Sequence, residues 1–173
     1  MSTDIRPIPV FGSTDELTLR IFRDYFAGQK IHIGTLFSDD LMPPVIICRK
    51  ERRSGTVAHA SPDENDLQAA IISVNTITDG IDGDEACEEL QEACRIALVQ
   101  AQLTQRVYPN AGSISTITNS SPPSRVSDWA TSTGVVQYSE LPKTLVRYEA
   151  IYRVLIRPPR QDTITNRFLT LAT

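Results

Sequence analysis

Two histidines, three cysteines and one acidic cluster are the residues with which this 173-residue chain could do chemistry. His32 falls in an expected strand and His59 in an expected loop, and neither has the orienting partner that metal ligation or general-base work requires. Cys48, Cys87 and Cys94 make an odd count with no CxxC pair. Cys87 and Cys94 lie seven residues apart on one expected helix, roughly 10 Å at its rise and beyond disulfide reach, so all three read as reduced core residues. Asp79, Asp82, Asp84 and Glu85 resemble the start of a Ca²⁺ loop, but the bidentate Glu required at position twelve is Leu90. Acids at a helix N-terminus already have a sufficient cause in the helix dipole. The basic run Arg49, Lys50, Arg52, Arg53 is short, broken by Glu51 and free of aromatics, which suits a solvated loop base or a protein contact better than a nucleic-acid patch. No Gly-rich phosphate loop, GxSxG or HExxH occurs. The expectation is a protein without catalytic residues, cofactor or metal.

The elements that must position these residues follow from periodicity. Residues 1–12 contain Pro7, Pro9 and Gly12 and read as an extended arm. A helix then starts at a capping box of Ser13 and Glu16, with Leu17, Ile21, Phe22, Tyr25 and Phe26 at helical spacing until Gly28. Residues 31–37 and the run Val45, Ile46, Ile47, Cys48 read as strands, residues 49–68 as a projecting hairpin-like loop, and residues 69–76 as a further strand.

A second helix is expected from Asp82, its stripe made of Ala86, Leu90, Ala93, Cys94, Ala97, Leu98 and Ala101 and its other face of Glu88, Glu89 and Glu92. The small stripe residues predict close approach to a sheet. Residues 104–125, rich in Ser, Thr, Asn and Pro, read as a long surface or partner-binding loop. Short strands are expected at 126–130 and 135–138. Residues 145–157 alternate regularly: Val146, Tyr148, Ala150, Tyr152, Val154 and Ile156 belong in the core, while Leu145, Arg147, Glu149, Ile151, Arg153, Leu155 and Arg157 suit a covered or subunit-facing surface. Residues 158–173 form a tail with Ile164, Phe168, Leu169 and Leu171 as docking side chains. The fold class is therefore α+β: one domain over 13–157, a small mainly antiparallel sheet with two helices on one face, a projecting hairpin, and arms at both ends.

Net charge is −4, unevenly placed. Residues 61–104 carry ten acidic side chains and one basic, whereas residues 141–173 carry six basic and two acidic. Such opposed regions pair within one fold or between copies of it. General acidity argues against sequence-independent nucleic-acid binding, and neither a membrane-length apolar run nor a signal-peptide pattern is present, so assembly in the cytoplasm is expected.

The order of elements resembles the tail terminator proteins of long-tailed bacteriophages, particularly those of actinobacterial hosts. The residues carrying the resemblance are Pro43-Pro44-Val45-Ile46-Ile47, then Ile71-Ile72-Ser73-Val74-Asn75 followed by Asp84-Glu85-Ala86 and Leu90, then Val146-Arg147-Tyr148-Glu149-Ala150 through Tyr152 to Arg157-Pro158. It spans residues 14–157. The resemblance implies a structural role in the virion neck: a six-membered ring that caps the tail tube, ends its polymerisation and meets the head connector. Implied partners are further copies of the chain, the tail tube protein and the connector or stopper protein, with DNA passing through the ring and no membrane or sequence-specific nucleic acid. A head completion or stopper protein of the same neck, and a cytosolic small-molecule-binding α+β domain, are the alternatives. In a head-to-tail ring each copy offers different faces to its two neighbours. Glu88, Glu89 and Glu92 of one copy are accordingly expected to face Arg147, Arg153 or Arg157 of the next. Arg52, Arg53, His59 and Asp63 of the hairpin are expected to contact tube or connector.

Overall fold

In the computed structural model of the chain the described residues are 12–38, 41–51, 67–126 and 145–159. Helix α1 (Thr14–Tyr25) starts where the capping box requires, with the Ser13 hydroxyl accepting from the Glu16 N–H and Asp15 and Glu16 in the first turn. Its buried stripe is Leu17, Ile21 and Phe22, whereas Tyr25 is only partly covered.

Strand β1 (His32–Gly34) is shorter than the alternation predicts and pairs in parallel with β2 (Val45–Lys50). Strand β3 (Gln68–Asp79) runs antiparallel to β2 with Ile46 opposite Thr76, and helix α2 (Gly83–Thr104) follows across a tight turn. Strands β4 (Ser113–Arg125) and β5 (Leu145–Arg157) complete a five-stranded sheet in the order β1-β2-β3-β5-β4. All pairs except β1–β2 are antiparallel. Both helices pack on one face of this sheet, as the α+β expectation has it. They enclose a core of Leu17, Phe22, Ile46, Cys48, Ile72, Val74, Leu98, Ala150, Tyr152 and Val154.

The long loop expected over 104–125 is instead β4 preceded by a tight turn. Tyr108 and Gly112 bond each other through backbone N–H···O contacts of 2.8 and 2.9 Å. Gly112 lies at φ +95°, and a Cβ there would sit 2.1 Å from the Arg157 carbonyl oxygen, so only glycine fits. β4 is an edge strand whose outer side meets solvent, which explains its Ser, Thr and Asn content and lets Pro122 and Pro123 be tolerated. Register shifts at Ile114/Thr116, Asn119/Ser121 and Ser121/Ser124 break the alternation that would have revealed it. Val126 N–H still reaches the Arg147 carbonyl at 2.9 Å. The remainder of the expected strands at 126–130 and 135–138, residues 1–11 of the N-terminal arm and the tail from residue 160 lie outside the described residues.

The helix-facing side of β5 is as expected: Val146, Tyr148, Ala150, Tyr152, Val154 and Ile156 are all buried. On the opposite face Val45, Ile47 and Ile77 form a small cluster covered by Phe37, Leu41 and Leu145.

Candidate interaction surfaces

The inner face of α2 decides what its outer face can offer. Gly83 approaches the sheet so closely that a Cβ would stand 2.9 Å from Val146 Cγ2, and its carbonyl accepts the Thr78 hydroxyl at 2.6 Å. One turn on, the Cys87 thiol donates to the Thr76 carbonyl at 3.1 Å. The Gln91 amide donates to the Val74 carbonyl at 2.9 Å and to that of Tyr148 at 3.1 Å, clasping β3 and β5 together. The expected stripe is therefore rotated at its start: Cys87 and Gln91 point inward and Ala86 is exposed. The expected close approach holds, and burial pushes the Cys48 and Cys94 thiols well above their ordinary range.

With that rotation fixed, Glu88, Glu89 and Glu92 are all exposed on the outer side of α2. Glu88 accepts the Tyr148 hydroxyl at 3.1 Å, a contact that sequence reasoning missed because it needs the register of two distant elements. Burial of the ring, reinforced by Glu88, pushes the Tyr148 phenol up to about 12. Asp84 accepts from the Arg125 guanidinium at 2.9 Å. The guanidinium of Arg95 lies 2.6 Å from Glu92 and holds its carboxyl below the usual carboxylate range. Such exposed pairs contribute little to stability, so the side chains can be redeployed toward a partner at small cost.

The three arginines expected as one set do not stay together. Arg153 is exposed on the sheet face opposite the helices, in the middle of β5 between Ile71 and Thr118. Arg157 is exposed at the strand's end, donating to Gln105 Oε1 at 3.1 Å. Arg147 is a correction: it is only 1% exposed and donates through Nε to Asn75 Oδ1 at 2.8 Å, with Glu149 3.9 Å away. The register sets Arg147 beside Ile77, at the end of the sheet covered by the chain that follows β1. Asn75 Nδ2 donates to Ser73 Oγ at 2.8 Å, and that hydroxyl donates to Glu149 Oε1 at 2.6 Å, completing a polar network under cover. Arg147 thus serves the interior, and Arg153 and Arg157 remain as surface cations.

Arg52, Arg53, His59 and Asp63 lie outside the described residues. Their segment joins β2 to β3, whose pairing runs to Lys50 opposite Ile72 and is extended by the Glu51 N–H to the Ile71 carbonyl at 2.8 Å. Arg49 donates to the Thr35 carbonyl and the Lys50 N–H to Asp15, so the base of the segment is tied to β1 and α1. His32 is exposed on the edge strand β1. Among the described residues no three His, Cys, Asp or Glu side chains converge as metal ligands, and no helix is long and apolar enough to cross a membrane.

Fold and surfaces together define a class: an α+β protein with two helices on one face of a mainly antiparallel five-stranded sheet, its acidic helix face turned outward. No protein-family model and no curated protein matches the chain.

Proposed function

We propose that the protein is a ring-forming structural component of the neck of a long-tailed bacteriophage, a tail terminator whose copies cap the tail tube, end its growth and join it to the head connector in the virion. The order α1, β1, β2, β3, α2, β4, β5 supports the resemblance drawn from the sequence. The observation that carries the reading is the separation of its charges. Glu88, Glu89 and Glu92 stand on the outer side of the helical layer, and Arg153 stands on the far face of the sheet. Arg157 lies beside Gln105 at the other end of α2, about 20 Å from Glu92 at 1.5 Å per residue. Glu92 already pairs with Arg95 of its own copy, but none of the three acids pairs with Arg153 or Arg157 within a copy among the described residues. They can do so between copies arranged head to tail, the geometry of a closed ring.

Charge reversal tests this. Glu88, Glu89 and Glu92 replaced together by Lys should reduce the particle from about six 19.2 kDa copies to one or two by light scattering. Arg153→Glu in a second preparation should do the same, and mixing the two should restore assembly. An unchanged mass in either variant, with the circular dichroism of the parent, contradicts the pairing.

A further inference from the structure

The outer face of α2 changes character half-way along the helix. Glu85, Glu92, Ile96, Val99 and Leu103 follow one another at the spacing of one helical face, on the side turned away from Cys87, Cys94, Leu98 and Ala101. The first half of this line is acidic and the second apolar. Leu103 is 74% exposed, and Ile96 and Val99 are half-buried but belong to none of the core clusters among the described residues. A helix with apolar side chains on both its sides needs a second layer to lie against.

The far face of the sheet carries the complement. Arg153 stands there between Ile71 of β3 and Thr118 of β4, exposed and without an ion-pair or hydrogen-bond partner among the described residues. Ile151 and Leu155 lie two residues to either side of it on β5, about 13 Å apart. Ile71, Ile151 and Leu155 are half-buried and likewise outside the core clusters. One surface is thus an apolar line headed by carboxylates, and the other an apolar patch with a cation at its centre. They face opposite sides of the molecule and cannot meet within a copy.

We propose that they meet between copies: Ile96, Val99 and Leu103 of one copy rest on Ile71, Ile151 and Leu155 of the next, with Glu89 and Glu92 beside Arg153. This rests on the ring reading above and adds what holds the copies together. Ion pairs exposed to water contribute little and are screened by salt, whereas stable interfaces bury apolar area at their centre and keep charge at the rim. The acids therefore select which face of the next copy is met, and the apolar line holds it. Two α2 faces packed on each other would leave Arg153 and its apolar frame uncovered; a head-to-tail contact covers both surfaces.

Two experiments on the full chain test the contact. Ile96→Gln with Leu103→Gln keeps good helix formers at exposed positions, so the circular dichroism should match the parent while sedimentation shows self-association weakened at least tenfold. Association equal to the parent's overturns this proposal and leaves the charge-paired ring standing; a parent that stays a single copy at every concentration overturns both. With Ile96→p-benzoylphenylalanine, photolysis of mixed, isotopically distinguished copies should join position 96 to residue 71 or to residues 151–155 of another copy. The same cross-links in dimers or open filaments keep this contact and remove the ring. Cross-links within one copy, or to other residues of a neighbour, overturn the contact.

Discussion

The two halves of α2 meet the same sheet by different means. From Gly83 to Gln91 the helix is held by directional contacts: the Thr78 hydroxyl to the Gly83 carbonyl, the Cys87 thiol to Thr76, and the Gln91 amide to Val74 and Tyr148. From Cys94 to Ala101 it is held by apolar burial through Ala97, Leu98 and their neighbours, and there a groove opens toward α1. Apolar burial is non-directional and tolerates rotation of a helix about its axis, whereas hydrogen bonds do not. The first half therefore fixes which way Glu88, Glu89 and Glu92 point, and the second supplies most of the free energy that keeps α2 down.

The largest effect should come from the apolar half. Leu98 is fully buried, and Leu98→Ala should cost about 2–5 kcal/mol in urea unfolding while leaving particle mass unchanged at low temperature. In the polar half, Gln91→Ala removes two hydrogen bonds and leaves a cavity, for about 2–3 kcal/mol. Gln91→Met restores the volume without the bonds and should recover part of that loss. If Met were as stable as Gln, the two bonds would do no more than offset the buried, unpartnered Gln91 Oε1, and the contrast between the halves would fall.

The smallest effect separates two tyrosines of β5. The Tyr148 hydroxyl donates to Glu88, so Tyr148→Phe should cost about 1 kcal/mol. The Tyr152 hydroxyl is buried without a hydrogen-bond partner among the described residues, so Tyr152→Phe should be neutral or stabilising. Burial raises both phenols from about 10 to about 12. Between those values the unfolded chain has lost phenol protons that the folded chain keeps, so stability should fall as pH rises through this window and be level just below it. Each Phe variant should flatten the fall, read as melting temperature from pH 9 to 11.5.

What was legible in the sequence depended on whether one physical pattern was unopposed. β5 alternates without interruption, and its core face was correct residue by residue. α2 was legible in place but not in rotation. Cys87, Gln91, Cys94, Leu98 and Ala101 form a stripe at the same period as the expected one, and only a glutamine counted as polar concealed it. β4 was missed because bulges broke its period and solvent claimed its outer side. Arg147 shared a strand face with Arg153 and Arg157, and alternation carries no information about the Phe37 and Leu41 cover at one end of that face. The Tyr148–Glu88 contact and the groove between α1 and α2 arise from pairing across long sequence separations, which no local signal reports.

Electron microscopy of the purified full chain tests the central claim most directly. Closed six-fold rings with a central opening are the expected result, dispersed by replacing Glu88, Glu89 and Glu92 with Lys. Single 19.2 kDa particles at concentrations where virion necks assemble would contradict the account.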